Sequence, residues 1–364
     1  FMAGLSTLCK YFGLALVPLL AVYALAEKRR MGAWMLPLAV PIVFFALEQT
    51  SNYALYGRSI FANAIDIAGM KQTTTAFRIA SGLSFAGGCM IALVAFAYHM
   101  RPRRRGIAIA LALSAPVICA LVVVLRSMPG AEELPVSSVA QLVVTVLGGV
   151  ILFALTIDEL RSKCSPASIV LACWVAGTFI FASLMNWSVT ARTMLPLAPP
   201  TAILIVRRLE RVANSSQGAS NRAIWLPVAA CAIVSFAVGI ADYTWAGSIR
   251  DAARSYLRQA KAHTGDVYFQ GHWGWQYYLE EGGLQALDTN NFRFKTGDFV
   301  ISPQNNVNVE QIPGRYAYGV ETTEFPTTHW LAVMSRRDGA GFYTDVFGPL
   351  PYVFGHVPPD PYHV

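Results

Sequence analysis

Residues 9–30 read CKYFGLALVPLLAVYALAEKRR. From Tyr11 to Ala26 the run carries no charge, and it ends abruptly in Glu27, Lys28, Arg29 and Arg30. An uncharged stretch of this kind approaches the roughly 20 residues needed to cross a hydrocarbon core about 30 Å thick. The basic cluster behind it is the usual mark of a cytoplasmic membrane edge. The segment therefore reads as a transmembrane helix, and the question becomes how often the pattern recurs.

It recurs through residues 1–241. Apolar runs fall at about 11–26, 31–47, 78–98, 106–125, 139–156, 167–185, 194–206 and 223–241. They explain why 55% of the 364 residues are hydrophobic and only 13% charged, where a soluble domain carries about a quarter charged residues. One alternating set of connections holds Lys28, Arg29, Arg30, Arg101, Arg103, Arg104, Arg105, Arg161, Lys163, Arg207, Arg208, Arg211 and Arg222. The other holds only Arg58, Lys71, Arg78, Arg126 and Arg192. The positive-inside rule puts the richer set in the cytoplasm and the region after residue 241 outside. Topology and anionic lipid explain the net charge of +7, so no nucleic acid is expected as a partner. The chain opens inside an apolar run, without a basic n-region or a small-residue cleavage site. It is expected to be the C-terminal portion of a longer protein.

Between 48 and 77, Ile60, Phe61, Ala64, Ile67 and Ala68 recur at helical spacing, which suits either a helix lying on the outer surface or a packed loop. Residues 244–364 read as a small α/β domain. AGSIRDAARSYLRQAKAH carries a helical stripe through Ile249, Ala253, Tyr256, Leu257 and Ala260. Strands are expected at 266–270, 298–302, 316–320 and 329–335. A short aromatic helix, HWGWQYYLEEGG, should stop at Gly282 and Gly283.

Arg192, in NWSVTARTMLPLAPP, stands fifteen residues before Arg207. That is about 22 Å of helix, short of the core thickness, so Arg192 either snorkels as an anchor or faces an anion. Pro196, Pro199 and Pro200 could stretch or break the segment, and broken backbone at depth belongs beside a cavity. Lys10 lies eighteen residues before Lys28, about 27 Å as helix. Two cations at similar depth suit a lipid phosphate, since charge-assisted bonds to phosphate are strong; two unrelated anchors are the alternative. Tyr11, Trp273 and Trp275 are sugar or interface contacts on one reading, and on the other ordinary core aromatics. His272, Asp288, His329 and His356 lack metal-ligand spacing. The six cysteines form no CxxC pair, so no metal or other cofactor is expected. The outward carboxylates Glu48, Asp66, Glu132, Glu133 and Asp242 stand in no distinctive motif.

AGLSTLCKYFGLALVPLLAVYAL and ARTMLPLAPPTAILIVRRLER resemble segments of polytopic glycosyltransferases of the GT-C fold. That group includes the protein mannosyltransferases, the lipid A aminoarabinose transferase and bacterial family 39 enzymes. Thr193 stands where they carry tyrosine. GHWGWQYYLEEGGLQALD and GFYTDVFGPLPYVFG look like the tails of bacterial members. The resemblance implies an inverting transferase that moves a sugar from a polyprenyl-phosphate donor to a lipid, glycan or protein acceptor. The reaction would occur on the outer face of a bacterial-type cytoplasmic membrane. Lys10 and Arg192 would contact the carrier phosphate, and the catalytic base would lie upstream of Phe1. The expected fold class is an α-helical polytopic membrane protein of about eight transmembrane helices (1–243), GT-C-like, with a small C-terminal α/β extracytoplasmic domain (244–364). A transporter or lipid flippase, and a non-catalytic envelope assembly protein, are the alternatives.

Overall fold

The structure is a computed structural model that describes residues 1–9, 11–69, 73–100, 104–127, 135–215, 222–288 and 294–364. The chain divides into two compact units. The first comprises Phe1–Val124, Leu142–Cys231 and Phe342–Pro351, and the second Leu125–Gln141, Ala232–Gly341 and Tyr352–Val364.

The first unit is helical. Helix α1 (Met2–Cys9) packs on α3 (Ala39–Tyr56), where Gly4 lies over the ring of Phe44. Helix α2 (Leu16–Lys28) runs on from a 3-10 turn at Tyr11–Ala15 and ends with Arg29 in the left-handed region, at φ 53°. Helix α4 (Ile60–Gly69) occupies the stretch for which a surface helix or a packed loop was expected. The run expected to span at 78–98 instead divides into α5 (Thr75–Cys89) and α6 (Ala92–Ala95). Gly87 and Gly88 precede the break, and glycine pairs hold a helix weakly. Helices α7 (Arg104–Ser127), α8 (Val136–Ser162) and α9 (Pro166–Ile180) follow, and α9 starts at a Ser165 cap that accepts from the Ser168 N–H.

The run at 194–206 also differs from expectation. It comprises α10 (Ala191–Met194), a 3-10 turn at Leu195–Leu197 and α11 (Ala198–Ser215). The prolines sit in first turns, where a missing N–H costs little, and they do not stretch the chain into polyproline geometry. The core of this unit is built from Phe85, Leu93, Leu152, Val175, Met194, Leu197 and their neighbours. Six of the eight expected runs form helices long and apolar enough to cross a membrane: Tyr11–Lys28, Ala33–Tyr56, Gly106–Ser127, Val136–Ser162, Pro166–Met185 and Ile224–Ala262.

The last of these belongs to α12 (Arg222–Ala262), 41 residues without interruption, and the sequence boundary at 243/244 falls within it. Its C-terminal part buries Ile249, Ala253 and Tyr256, members of the predicted stripe. In the second unit, α13 (Trp273–Glu281) is the predicted aromatic helix, followed by Gly283 at φ +89°. The sheet comprises β1 (Val267–Phe269), β2 (Gln285–Ala286), β3 (Phe299–Pro303), β4 (Thr322–Phe325) and, after three short strand pieces, a C-terminal strand at Asp360–His363. The short pieces are β5 (Leu331–Ala332), β6 (Met334–Ser335) and β7 (Ala340–Gly341). With β8 (Val353–Phe354), the C-terminal strand becomes β9. The order is β2-β1-β3-β9-β4, parallel between β1 and its neighbours and antiparallel about β9. The strand expected at 316–320 is not formed. The pairing stretch is Thr322–Phe325, where β-branched threonines precede an aromatic, while Gly314 and Gly319 interrupt the earlier run.

Candidate functional site

The backbone around Arg192 is held from both sides. Helix α9 ends in a π turn at Phe181–Met185, where the Asn186 N–H donates to the Phe181 carbonyl at 2.9 Å. A helix end leaves carbonyls without partners, and here a buried arginine from another helix supplies them. Arg78 of α5 is 1% exposed. It donates to the Ser183 carbonyl at 2.9 Å, to the Trp187 carbonyl at 2.6 Å and to the Asn186 carbonyl. A planar guanidinium suits this task because its N–H groups diverge in a fixed fork.

From the other side comes Asp345, in the segment Phe342–Pro351. Its Oδ1 accepts from the Val189 N–H at 3.0 Å, and its own N–H donates to the Val189 carbonyl at 3.0 Å. The Ala191 N–H donates to the Phe342 carbonyl at 2.9 Å. Asp345 is fully buried, and its Oδ2 has no hydrogen-bond partner among the described residues. Burial pushes its carboxyl up to about 6, opposed by the Val189 N–H and the charge of Arg78. The turn then closes on itself. Thr190 caps α10 and shares a reciprocal capping box with Thr193. This satisfies two of the helix start's orphan donors.

Arg192 projects from this clamped turn. Ala191 and Met194 on either side are buried, whereas Arg192 is exposed and makes no hydrogen bond or ion pair among the described residues. Helix continues from it to Arg207, three of those residues in the 3-10 turn, a rise of about 24 Å. This run is not among the six helices long and apolar enough to cross a membrane.

Lys10 lies outside the described residues. Tyr11 packs edge-on against Phe45 and Phe61, at 5.9 and 5.3 Å between ring centroids. Trp273, at φ 60°, is half-buried against Trp245 at 6.2 Å. Trp275 is fully buried. It donates to the Gln270 carbonyl and packs between Tyr256 and Tyr362, so it is a core residue with no face open to a ligand. In the sequence Arg78 is only one more cation of an outer connection, and nothing marks Asp345. Their partners lie more than 100 residues away along the chain, beyond the reach of any local pattern.

A second feature of the first unit is a cavity of about 2160 Å³ lined by α7, α8, α11 and the residues around α6. Its walls are largely aliphatic, and His99, Asp158, Arg161, Arg208 and Glu210 gather among its lining. The α8 lining runs from Val144 to Arg161, about 25 Å of helix. Beside it, buried Glu159 takes Arg207 at 2.7 Å, Arg211 at 2.9 Å and the Ser168 hydroxyl at 3.0 Å. Asp158 pairs with Arg208 and Arg211. The signal in the sequence was the acidic pair in TIDELR facing RRLER; counting cations alone passed over it.

Among the described residues no group of three or more His, Cys, Asp or Glu could hold a metal. Among the described residues, six helices long and apolar enough to cross a membrane, with a small C-terminal sheet region, are those of a multi-pass membrane protein. No protein-family model, curated protein or solved structure matches the chain.

Proposed function

We propose that this chain is part of a membrane glycosyltransferase of the GT-C type, in which Arg192 receives the phosphate of a polyprenyl-phosphate sugar donor. One observation carries the reading. An exposed guanidinium, without a hydrogen bond or ion pair among the described residues, stands on backbone fixed by a buried arginine and a buried aspartate. If the stretch from Arg192 to Arg207 crosses the hydrocarbon core, its roughly 24 Å of helix leaves this cation below the interface, where it is expensive unless it meets an anion. In the reaction an acceptor hydroxyl oxygen attacks the anomeric carbon. The bond from that carbon to the phosphate oxygen breaks, and polyprenyl phosphate leaves with the electron pair. Arg192 neutralises the charge gathering on that phosphate, and the fixed backbone spares the reorganisation that weakens such help in water. The acceptor proton passes to a general base, which is assigned to no residue of this chain.

Arg192→Ala in the full-length protein should lower transfer from a polyprenyl-phosphate hexose by about 10- to 100-fold, the worth of one charge-assisted hydrogen bond. Arg192→Lys should retain part of the rate. Because Arg192 makes no hydrogen bond or ion pair among the described residues, thermal stability should change little. Unchanged turnover in Arg192→Ala removes the assignment.

The large apolar cavity favours a second reading, lipid translocation. Proteoliposomes that move a fluorescent polyprenyl phosphate between leaflets, with no sugar transfer, would select it.

A further inference from the structure

The second unit contains a cavity unlike the first unit's. It is about 200 Å³ and is lined by Trp245 of α12, by Gln304 and Asn305 after β3, by Glu324 of β4 with Thr327, by Arg337, and by the prolines around Asp360 on β9. The frame is rigid. Asp360 is 4% exposed and accepts from the Asn305 amide at 2.8 Å. Tyr362 also donates to Asp360. Asn305 in turn accepts from the Arg336 N–H at 3.1 Å, and the Gln304 N–H donates to the Pro361 carbonyl at 3.0 Å.

Within that frame four lining side chains are left over. The Gln304 amide, the Glu324 carboxylate, the Thr327 hydroxyl and the Arg337 guanidinium make no hydrogen bond or ion pair among the described residues. An amide, a carboxylate, a hydroxyl and a guanidinium together offer both donors and acceptors. That set matches neighbouring hydroxyl groups, each of which gives and takes one bond. Pro358, Pro359 and Pro361, with the small part of Trp245 left exposed (7%), supply apolar surface for the C–H groups of a ring. Among the described lining side chains left over, Glu324 and Arg337 offset each other, and Asp360 is already engaged by Asn305, which favours a neutral ligand. The volume falls below the roughly 300 Å³ of a drug-sized pocket, so it admits one ring.

We infer that this cavity binds one pyranose unit of a neutral saccharide, set against the prolines around Asp360 and held through its hydroxyl groups by Gln304, Glu324, Thr327 and Arg337. The inference does not depend on the transfer reaction: it would stand if the membrane unit moved lipids and made no bonds. In the transferase reading, the site would hold a sugar of the acceptor.

The test is a titration of the purified full-length protein in nanodiscs with the methyl pyranosides of glucose, galactose and mannose. Binding is followed by saturation-transfer NMR and tryptophan fluorescence. At least one pyranoside should bind saturably in the millimolar range, and glucuronate and glucosamine should bind more weakly. Glu324→Gln and Arg337→Ala should each weaken binding by about tenfold or more. Both side chains are exposed, so the variants should keep the parent melting temperature, and Arg192→Ala should bind the sugar normally. Three results would overturn the inference: no saturable binding of any of the three sugars, equal binding by both variants, or preference for a charged sugar. Loss of transfer in Arg192→Ala with the sugar titration intact separates this site from the donor site.

Discussion

Asp345 carries a proton balance that can be measured. Its carboxyl is held at about 6 against an ordinary 3.8, because burial penalises the charge more than Arg78 and the Val189 N–H reward it. Below about pH 4 the group is protonated in both the folded and unfolded chain. Between about pH 4 and 6 the unfolded chain has released its proton while the folded chain retains it, so stability falls as pH rises. Above about pH 6 the loss is complete, at about 3 kcal/mol for a shift of this size. Asp360, also pushed up to about 6, and Asp338, raised by burial, titrate in the same direction. Asp345→Asn retains an oxygen for the Val189 N–H and removes one titration. The melting temperature of the parent should therefore fall more between pH 4 and 6 than that of Asp345→Asn; equal slopes would remove Asp345 from the account. The sequence announced Arg192 through its spacing from Arg207. It was silent on Arg78 and Asp345, whose meaning lies in carbonyls and amides brought to them by tertiary folding.

At the scale of elements, the crossing of α5 and α8 sets how closely the first unit packs. A Cβ at Gly87 would fall on the Thr145 carbonyl oxygen and the Gly149 nitrogen, and one at Gly149 on the Leu83 carbonyl oxygen. Alongside, the Ser84 and Thr145 hydroxyls bond at 2.8 Å. Small residues and paired hydroxyls are how membrane helices approach when no hydrophobic gain drives them together. Gly177 of α9 has open space where its Cβ would be. The two positions should respond with opposite sign. Gly87→Ala forces backbone apart and should cost about 1–3 kcal/mol. Gly177→Ala gains helix propensity and should stabilise by up to about 1 kcal/mol. Melting temperatures in one detergent decide it, and a stabilising Gly87→Ala would show that the crossing is looser than described. The sequence reading treated 78–98 as a single span because hydropathy averages over glycines. What it could not register is that those glycines meet another helix, and that the helix ends at Cys89.

Over the whole molecule the legible part is hydropathy, because burial in lipid imposes long uncharged runs that no tertiary contact can disguise. Six runs became helices of membrane-crossing length, while 78–98 and 194–206 broke at glycines and prolines whose effect is local. Helix α12 shows the limit most clearly. Its 41 residues span about 62 Å, twice the hydrocarbon core, so one uninterrupted helix carries both an apolar span and the amphipathic stripe that the sequence divided between two domains. Orientation rests on the distribution of Lys and Arg, and that can be tested directly. Cys164, exposed in the connection between α8 and α9, lies among the basic loops. Thr322, exposed on β4, lies beyond the last apolar run. If the positive-inside rule holds and the run at 194–206 crosses in addition to the six longer helices, a membrane-impermeant maleimide applied to intact cells should label Thr322→Cys at once; without that crossing the two sites would label from the same side. The reagent should reach Cys164 only after the membrane is permeabilised, and Cys164→Ser should abolish that second signal. The remaining cysteines should contribute little in either condition where they lie within apolar spans, since the thiolate that reacts needs water. Labelling of Cys164 in intact cells, with Thr322→Cys protected, would invert the topology. The proposed donor site at Arg192 would then face the cytoplasm.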